Sequence, residues 1–202
     1  MKRFSVPPAF GIKFKAWDLN YSPLNSESDI LFRNEVGELS YVTLTDLKSN
    51  TRNFGQFYDT TTQSGSANTA YSMKLNTTDF ASGMSIISGS QITVTNSGTY
   101  NLQFSAQLGN TSNTTIDFDI WLSKNGQNVD NTNTQLTLTK QPGSLGRQVA
   151  AWNFLIQLNA GEYTELMWNC DASTGQIQYQ GTQTTPNRPA IPSLIVTMTQ
   201  VG

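Results

Sequence analysis

Asp117 and Asp119 stand two residues apart, a spacing that puts both carboxylates on one side of a β-strand, and Asp130 follows beyond the next turn. Grouped carboxylates can ligate Ca²⁺ or act as acid and base. One strand supplies too few oxygens to define a metal site, however, and a solvated surface accounts for these residues equally well. Glu162 and Glu165, beside Gly161, pose the same choice. Cys170 is the single cysteine, which rules out an intrachain disulfide and a thiolate metal cluster. The chain contains no histidine. That removes the commonest general base, the commonest zinc and copper ligand, and every Ser-His or Cys-His nucleophile pair. Cys170 is therefore left without an obvious activator. The expectation is a protein that is not an enzyme and that uses no cofactor and no metal. Trp121 is the most informative aromatic. On a strand its neighbours Ile120 and Leu122 point the other way, which leaves the indole free to stack on a sugar or to pack against a second protomer.

The elements that carry these residues read as strands. Only 13% of the chain is charged, and Ser, Thr, Asn and Gln make up roughly two-fifths of it, yet 37% is hydrophobic and 10% aromatic. That apolar share suffices for a core, so a folded β-rich domain is expected rather than a disordered chain. Thr99–Leu108 alternates strictly, with Tyr100, Leu102, Phe104, Ala106 and Leu108 on one face and Asn101, Gln103, Ser105 and Gln107 on the other. Ile116, Phe118, Ile120 and Leu122 repeat the period, and an Asn125-Gly126 turn follows. Trp152, Phe154, Ile156 and Leu158 form the next apolar row. Asn159-Ala160-Gly161 then turns the chain into Tyr163–Trp168, and Ser193–Val201 reads as a last strand. Many short strands with no helical stretch between them predict an all-β sandwich over residues 55–202.

Ahead of it, residues 1–29 lack a period. They hold Phe4, Phe10, Phe14, Trp17 and Tyr21 among prolines that break any helix, which predicts an extended arm that buries itself on another surface. Residues 30–47 read as a hairpin around Gly37, and residues 46–54 as a polar linker. The formal net charge of −2 provides no basic field for nucleic acid, and no apolar run approaches a membrane span. Lys2 and Arg3 imitate the start of an export signal, but Pro7, Pro8, Lys13, Lys15 and Asp18 interrupt any apolar stretch behind them. Synthesis in the cytoplasm, with use or assembly there, is the expectation.

Gly98–Leu108 resembles the Gly-x-Tyr strand of the tumour-necrosis-factor and complement-type jelly rolls, and Phe154–Tyr163 resembles their Leu-x-x-Gly-Asp/Glu hairpin. The stretches Gly55–Asp59, Ile120–Gly126, Ala151–Phe154 and Gly181–Pro192 resemble jelly rolls in virion proteins of tailed phages, marine and cyanobacterial ones above all. The resemblance covers about three quarters of the chain. It implies a jelly-roll β-sandwich that forms a homotrimer through one sheet face, with Asn101, Gln103, Ser105, Ala151, Asn153 and Leu155 toward the three-fold axis. These amides and small groups stand where the family often has aromatic or aliphatic residues, so a wetter axis is implied. The implied role is a capsid decoration or head knob in the virion, assembled in the host cytoplasm. Its arm (Phe4, Phe10, Phe14, Trp17, Tyr21) would anchor it to capsid or tail shell proteins. The alternative is a tail-fibre or head-fibre adhesin that binds host surface glycan, with Trp121 as a glycan contact or a flank contact within the trimer.

Overall fold

A computed structural model describes residues 52–139 and 145–202 in full, and residues 29–33 and 39–43 as backbone. The chain divides into two compact units, 1–51 and 52–202. In the first, β1 (Asp29–Arg33) pairs antiparallel with β2 (Leu39–Thr43), from Asp29 opposite Thr43 to Arg33 opposite Leu39. This is the hairpin read from the sequence. Its Gly37 loop and the proposed anchor residues Phe4, Phe10, Phe14, Trp17 and Tyr21 lie outside the described residues.

The second unit is a jelly roll, and no helix occurs among the described residues. Its longer strands are β3 (Phe54–Asp59), β4 (Thr77–Ser82), β5 (Met84–Ile87), β6 (Gln91–Val94) and β7 (Gly98–Asn110). They continue with β8 (Ile116–Lys124), β9 (Thr134–Leu138), β10 (Gly146–Leu158), β11 (Tyr163–Cys170) and β12 (Leu194–Gln200). One sheet runs β10-β7-β12-β3-β4, and the other runs β9-β8-β11-β6-β5. From β4 onward the chain passes repeatedly from one sheet to the other, so neighbours in space are distant in sequence. β12, the last strand, lies between β7 and β3 with Val196 opposite both Phe104 and Phe57. The sandwich starts ahead of residue 55. Asn53 is buried, and its amide donates to Tyr100 Oη at 3.0 Å while that hydroxyl donates to the Asn96 carbonyl at 2.6 Å.

Alternation makes the core. Tyr100, Leu102, Phe104, Ala106 and Leu108 of β7 point inward, as do Ile116, Phe118, Ile120 and Leu122 of β8. They meet Phe57, Leu166, Trp168, Leu194, Val196 and Met198 from the facing and flanking strands. Trp168 stacks on Phe118 with ring centroids 6.0 Å apart. Trp152 and Phe154 of β10 also point inward, but they stay half-buried at the edge of the sandwich, where both rings contact Phe104.

Two turns lock the ends of the strands together. Asn125 and Gly126 both have positive φ, 49° and 78°, the conformation of a type I′ turn that glycine and asparagine tolerate best. Across from it, Glu162 receives the Asn159 N–H at 2.7 Å, the Asn125 amide at 3.0 Å and Lys124 Nζ at 2.7 Å. These donors hold its carboxyl down at about 2, the Asn159 N–H contributing most.

Candidate functional site

With the even-numbered residues Tyr100 to Leu108 of β7 and Ala150 to Leu158 of β10 turned toward the core, the odd-numbered ones between them face outward. The ladder register then aligns them in rows across the sheet. Asn101 pairs with Leu155 and with Thr199, which pairs with Phe54. Gln103 pairs with Asn153 and with Thr197, which pairs with Gln56, itself opposite Phe80. Ser105 pairs with Ala151 and Ile195, which leads to Tyr58. All six residues that the resemblance assigned to an axis therefore lie side by side on one outward face.

That face has an internal order. Its polar side chains are partly tied to one another: the Asn153 amide donates to Asn101 Oδ1 at 3.2 Å, and the Gln56 amide donates to Asp79 Oδ2 at 2.9 Å. Large apolar side chains stand among them at both margins. Leu155 (67% exposed) and Val149 (53%) lie along β10, while Phe80 (52%) and Phe54 (42%) lie on β4 and β3 with rings 6.2 Å apart. These are four of the six large apolar side chains exposed among the described residues. A single exposed Leu needs no explanation, but four on one face of one sheet, in two pairs at its opposite edges, make that face the candidate for contact. Phe54, Phe80 and Val149 were not among the residues singled out from the sequence. Val149 shares the parity of Ala151 and Leu155 and was legible by extending that row. Phe80 stands alone in a polar stretch, and only the pairing of β3 with β4 brings it to the face.

The other sequence-derived candidates lie on the opposite sheet. Asp117 and Asp119 do share its outward side, yet they engage different partners. Asp117 Oδ1 receives the Thr137 hydroxyl at 2.6 Å, whereas Asp119 receives the Asn133 amide at 3.1 Å. Asp119 and Asp130 line a common groove with Trp121, and Asp117 does not. Trp121 is half-buried, and its Nε1–H donates to Asn128 Oδ1 at 2.7 Å. Glu165 departs from a surface carboxylate: it is buried and receives the Ser90 hydroxyl at 2.7 Å. Cys170 is buried against Gly175 and Phe118, and burial raises its thiol pKa, with the Asp171 carboxylate adding to the rise. A thiol held protonated in this way is a poor nucleophile.

No family model matches the chain, and no curated protein matches it. Among solved structures, the chain is similar to murine APRIL at pH 5.0, with 10% identity and a TM-score of 0.45 over 75% of this chain and 100% of that one. Murine APRIL at pH 8.5 gives 11% identity and 0.45 over the same shares. Eiger TNF from S. frugiperda gives 8% identity and 0.47 over 75% of this chain and 93% of that one. The jelly roll itself is given by the chain's own strand order and register.

Proposed function

We propose that this protein is a structural, non-enzymatic component of a bacteriophage particle. Three copies of the 52–202 jelly roll join into a knob, and the segment before it anchors the knob to capsid or tail shell proteins. The observation that carries this reading is the outward face of the β10-β7-β12-β3-β4 sheet. Its apolar margins sit at opposite ends, Leu155 and Val149 at one and Phe54 and Phe80 at the other. A closed three-fold ring brings two different parts of a surface together, so one protomer's β10 margin meets the next protomer's β3–β4 margin. The amides of Asn101, Gln103 and Asn153 then line a hydrated centre, where water bridges polar groups at little cost. The absence of histidine and the protonated, buried Cys170 favour a mechanical role over catalysis. Virion assembly in the host cytoplasm follows from the resemblance of residues 55–202 to phage jelly rolls.

The test is a deletion of residues 1–51 that retains Asn53, because Asn53 caps Tyr100 inside the sandwich. The truncated protein stays soluble and trimeric by light scattering but no longer joins particles. A truncated protein that still decorates particles removes the anchor role, and a monomer at high concentration removes the knob. A second reading, a tail-fibre or head-fibre adhesin for host surface glycans, keeps the same knob and adds a ligand. The half-buried Trp121 on the other sheet favours it.

A further inference from the structure

The outward side of β8 and β11 carries a shallow, open groove beside the Asn128–Asn133 loop. Trp121 contributes an aromatic wall. Its N–H is already engaged by Asn128, so what it offers a ligand is carbon surface. Around it stand Asp119, Asp130, Asn133 and Asn169. Asp119 and Asn169 face each other across the β8–β11 ladder, and the Asn133 amide fixes the Asp119 carboxylate at 3.1 Å. The loop that delivers Asn128 to Asn133 is itself held to β8. Val129 N–H donates to the Leu122 carbonyl at 2.9 Å, and Thr132 Oγ accepts from Leu122 N–H at 3.1 Å while donating to the Val129 carbonyl at 2.7 Å. The polar groups are thus positioned before any ligand arrives.

One atom in this set is unsatisfied. Asn169 Oδ1 is buried and receives no hydrogen bond among the described residues. That oxygen lies beneath the groove wall, out of a ligand's reach, and Asn169 serves the site through its place beside Asp119 on the ladder. The groove lining also has a sign, with two carboxylates and neither lysine nor arginine. An anionic ligand, nucleic acid included, would meet repulsion there.

We propose that this groove binds a neutral pyranose, the C–H face of the ring lying on the Trp121 indole and its hydroxyls meeting Asp119 and the Asn133 loop. A sugar ring matches the site because it presents an apolar face together with hydroxyls that both donate and accept. The acidic lining selects against uronic and sialic acids. The inference deepens the adhesin reading, and it does not depend on trimer formation: the groove is built within one chain, on the sheet opposite the apolar margins.

Saturation-transfer NMR of the full chain tests it, with glucose, galactose, mannose, rhamnose and N-acetylglucosamine as neutral probes and glucuronic acid as the acidic one. At least one neutral sugar shows transfer and glucuronic acid shows none. Trp121→Ala weakens that binding by roughly tenfold or more, while Trp121→Phe, which keeps an aromatic face, retains a measurable part of it. Phe80→Ser, on the other sheet, leaves binding unchanged even where it alters assembly. Absence of transfer from every neutral sugar overturns the proposal, as does binding indifferent to Trp121→Ala. Loss of binding in Phe80→Ser places the sugar between copies and equally overturns this groove. A monomeric chain that binds sugar through Trp121 leaves the groove standing and removes only the knob.

Discussion

Leu155 provides the sharpest test of the docking face, because its side chain is 67% exposed in the single chain and can contribute little to the fold. Full burial of a leucine is worth about 1.5–3 kcal/mol, so covering the exposed two-thirds yields about 1–2 kcal/mol at each contact. A closed trimer has three such contacts, which makes about 3–6 kcal/mol per assembly, or roughly two to four orders of magnitude in the association constant. Leu155→Ser removes that term while leaving the monomer within about 0.5 kcal/mol of its original stability, as surface substitutions usually do. Sedimentation equilibrium across a concentration series measures the association constant, and urea unfolding at a concentration where both proteins are monomeric measures the fold. A trimer's association constant scales with the square of concentration, so the variant's trimer should dissociate at roughly 10- to 100-fold higher concentration than the wild type's. The monomer unfolding curves should superimpose. An assembly unmoved by Leu155→Ser would refute the argument, since it would place the contact on some other face. A dimer that responds to the substitution would keep the face but replace three-fold closure with a two-fold contact.

Two further outcomes follow from the interior and from the turns. A Cβ built on Gly175 overlaps Cys170 Sγ and comes within 2.9 Å of the Phe118 ring, so Gly175→Ala overpacks the core. It should cost about 1–3 kcal/mol and lower the melting temperature by roughly 2–12 °C, and adding Cys170→Ala should recover part of the loss. A Gly175→Ala protein that melts with the wild type would show that this end of the sandwich yields freely. The Glu162 carboxyl, held at about 2 by Asn159 N–H, Lys124 and Asn125, lies below its ordinary 4.5, so the unfolded chain takes up its proton first on acidification. Its contribution is present above about pH 4.5 and is lost as pH falls toward 2. The urea-midpoint gap between wild type and Glu162→Gln should therefore narrow over that range, and a gap constant with pH would contradict the assignment.

Much of this molecule is legible from alternation alone, because the pleat of a strand is a local property. Tyr100 through Leu108 and Ile116 through Leu122 declare an inward and an outward face without reference to any other segment, and both sets point as that alternation requires. The same rule placed Trp121 on the outward side of β8 and the six residues from Asn101 to Leu155 on a common face. The lack of histidine, too, is complete in the sequence.

What alternation cannot carry is which strand lies beside which. The register that sets Thr199 between Asn101 and Phe54 joins residues nearly the whole length of the sandwich apart, and it depends on the chain closing long loops before those pairs can form. Only that pairing brings Phe54 and Phe80 to the margin opposite Leu155. Only the packing of β8 on β11 brings Asn169 beside Asp119, and only the approach of Ser90 makes Glu165 a buried acceptor rather than a surface charge. Residue type and period determined the faces of this protein; tertiary pairing, which is non-local, decided what each face presents.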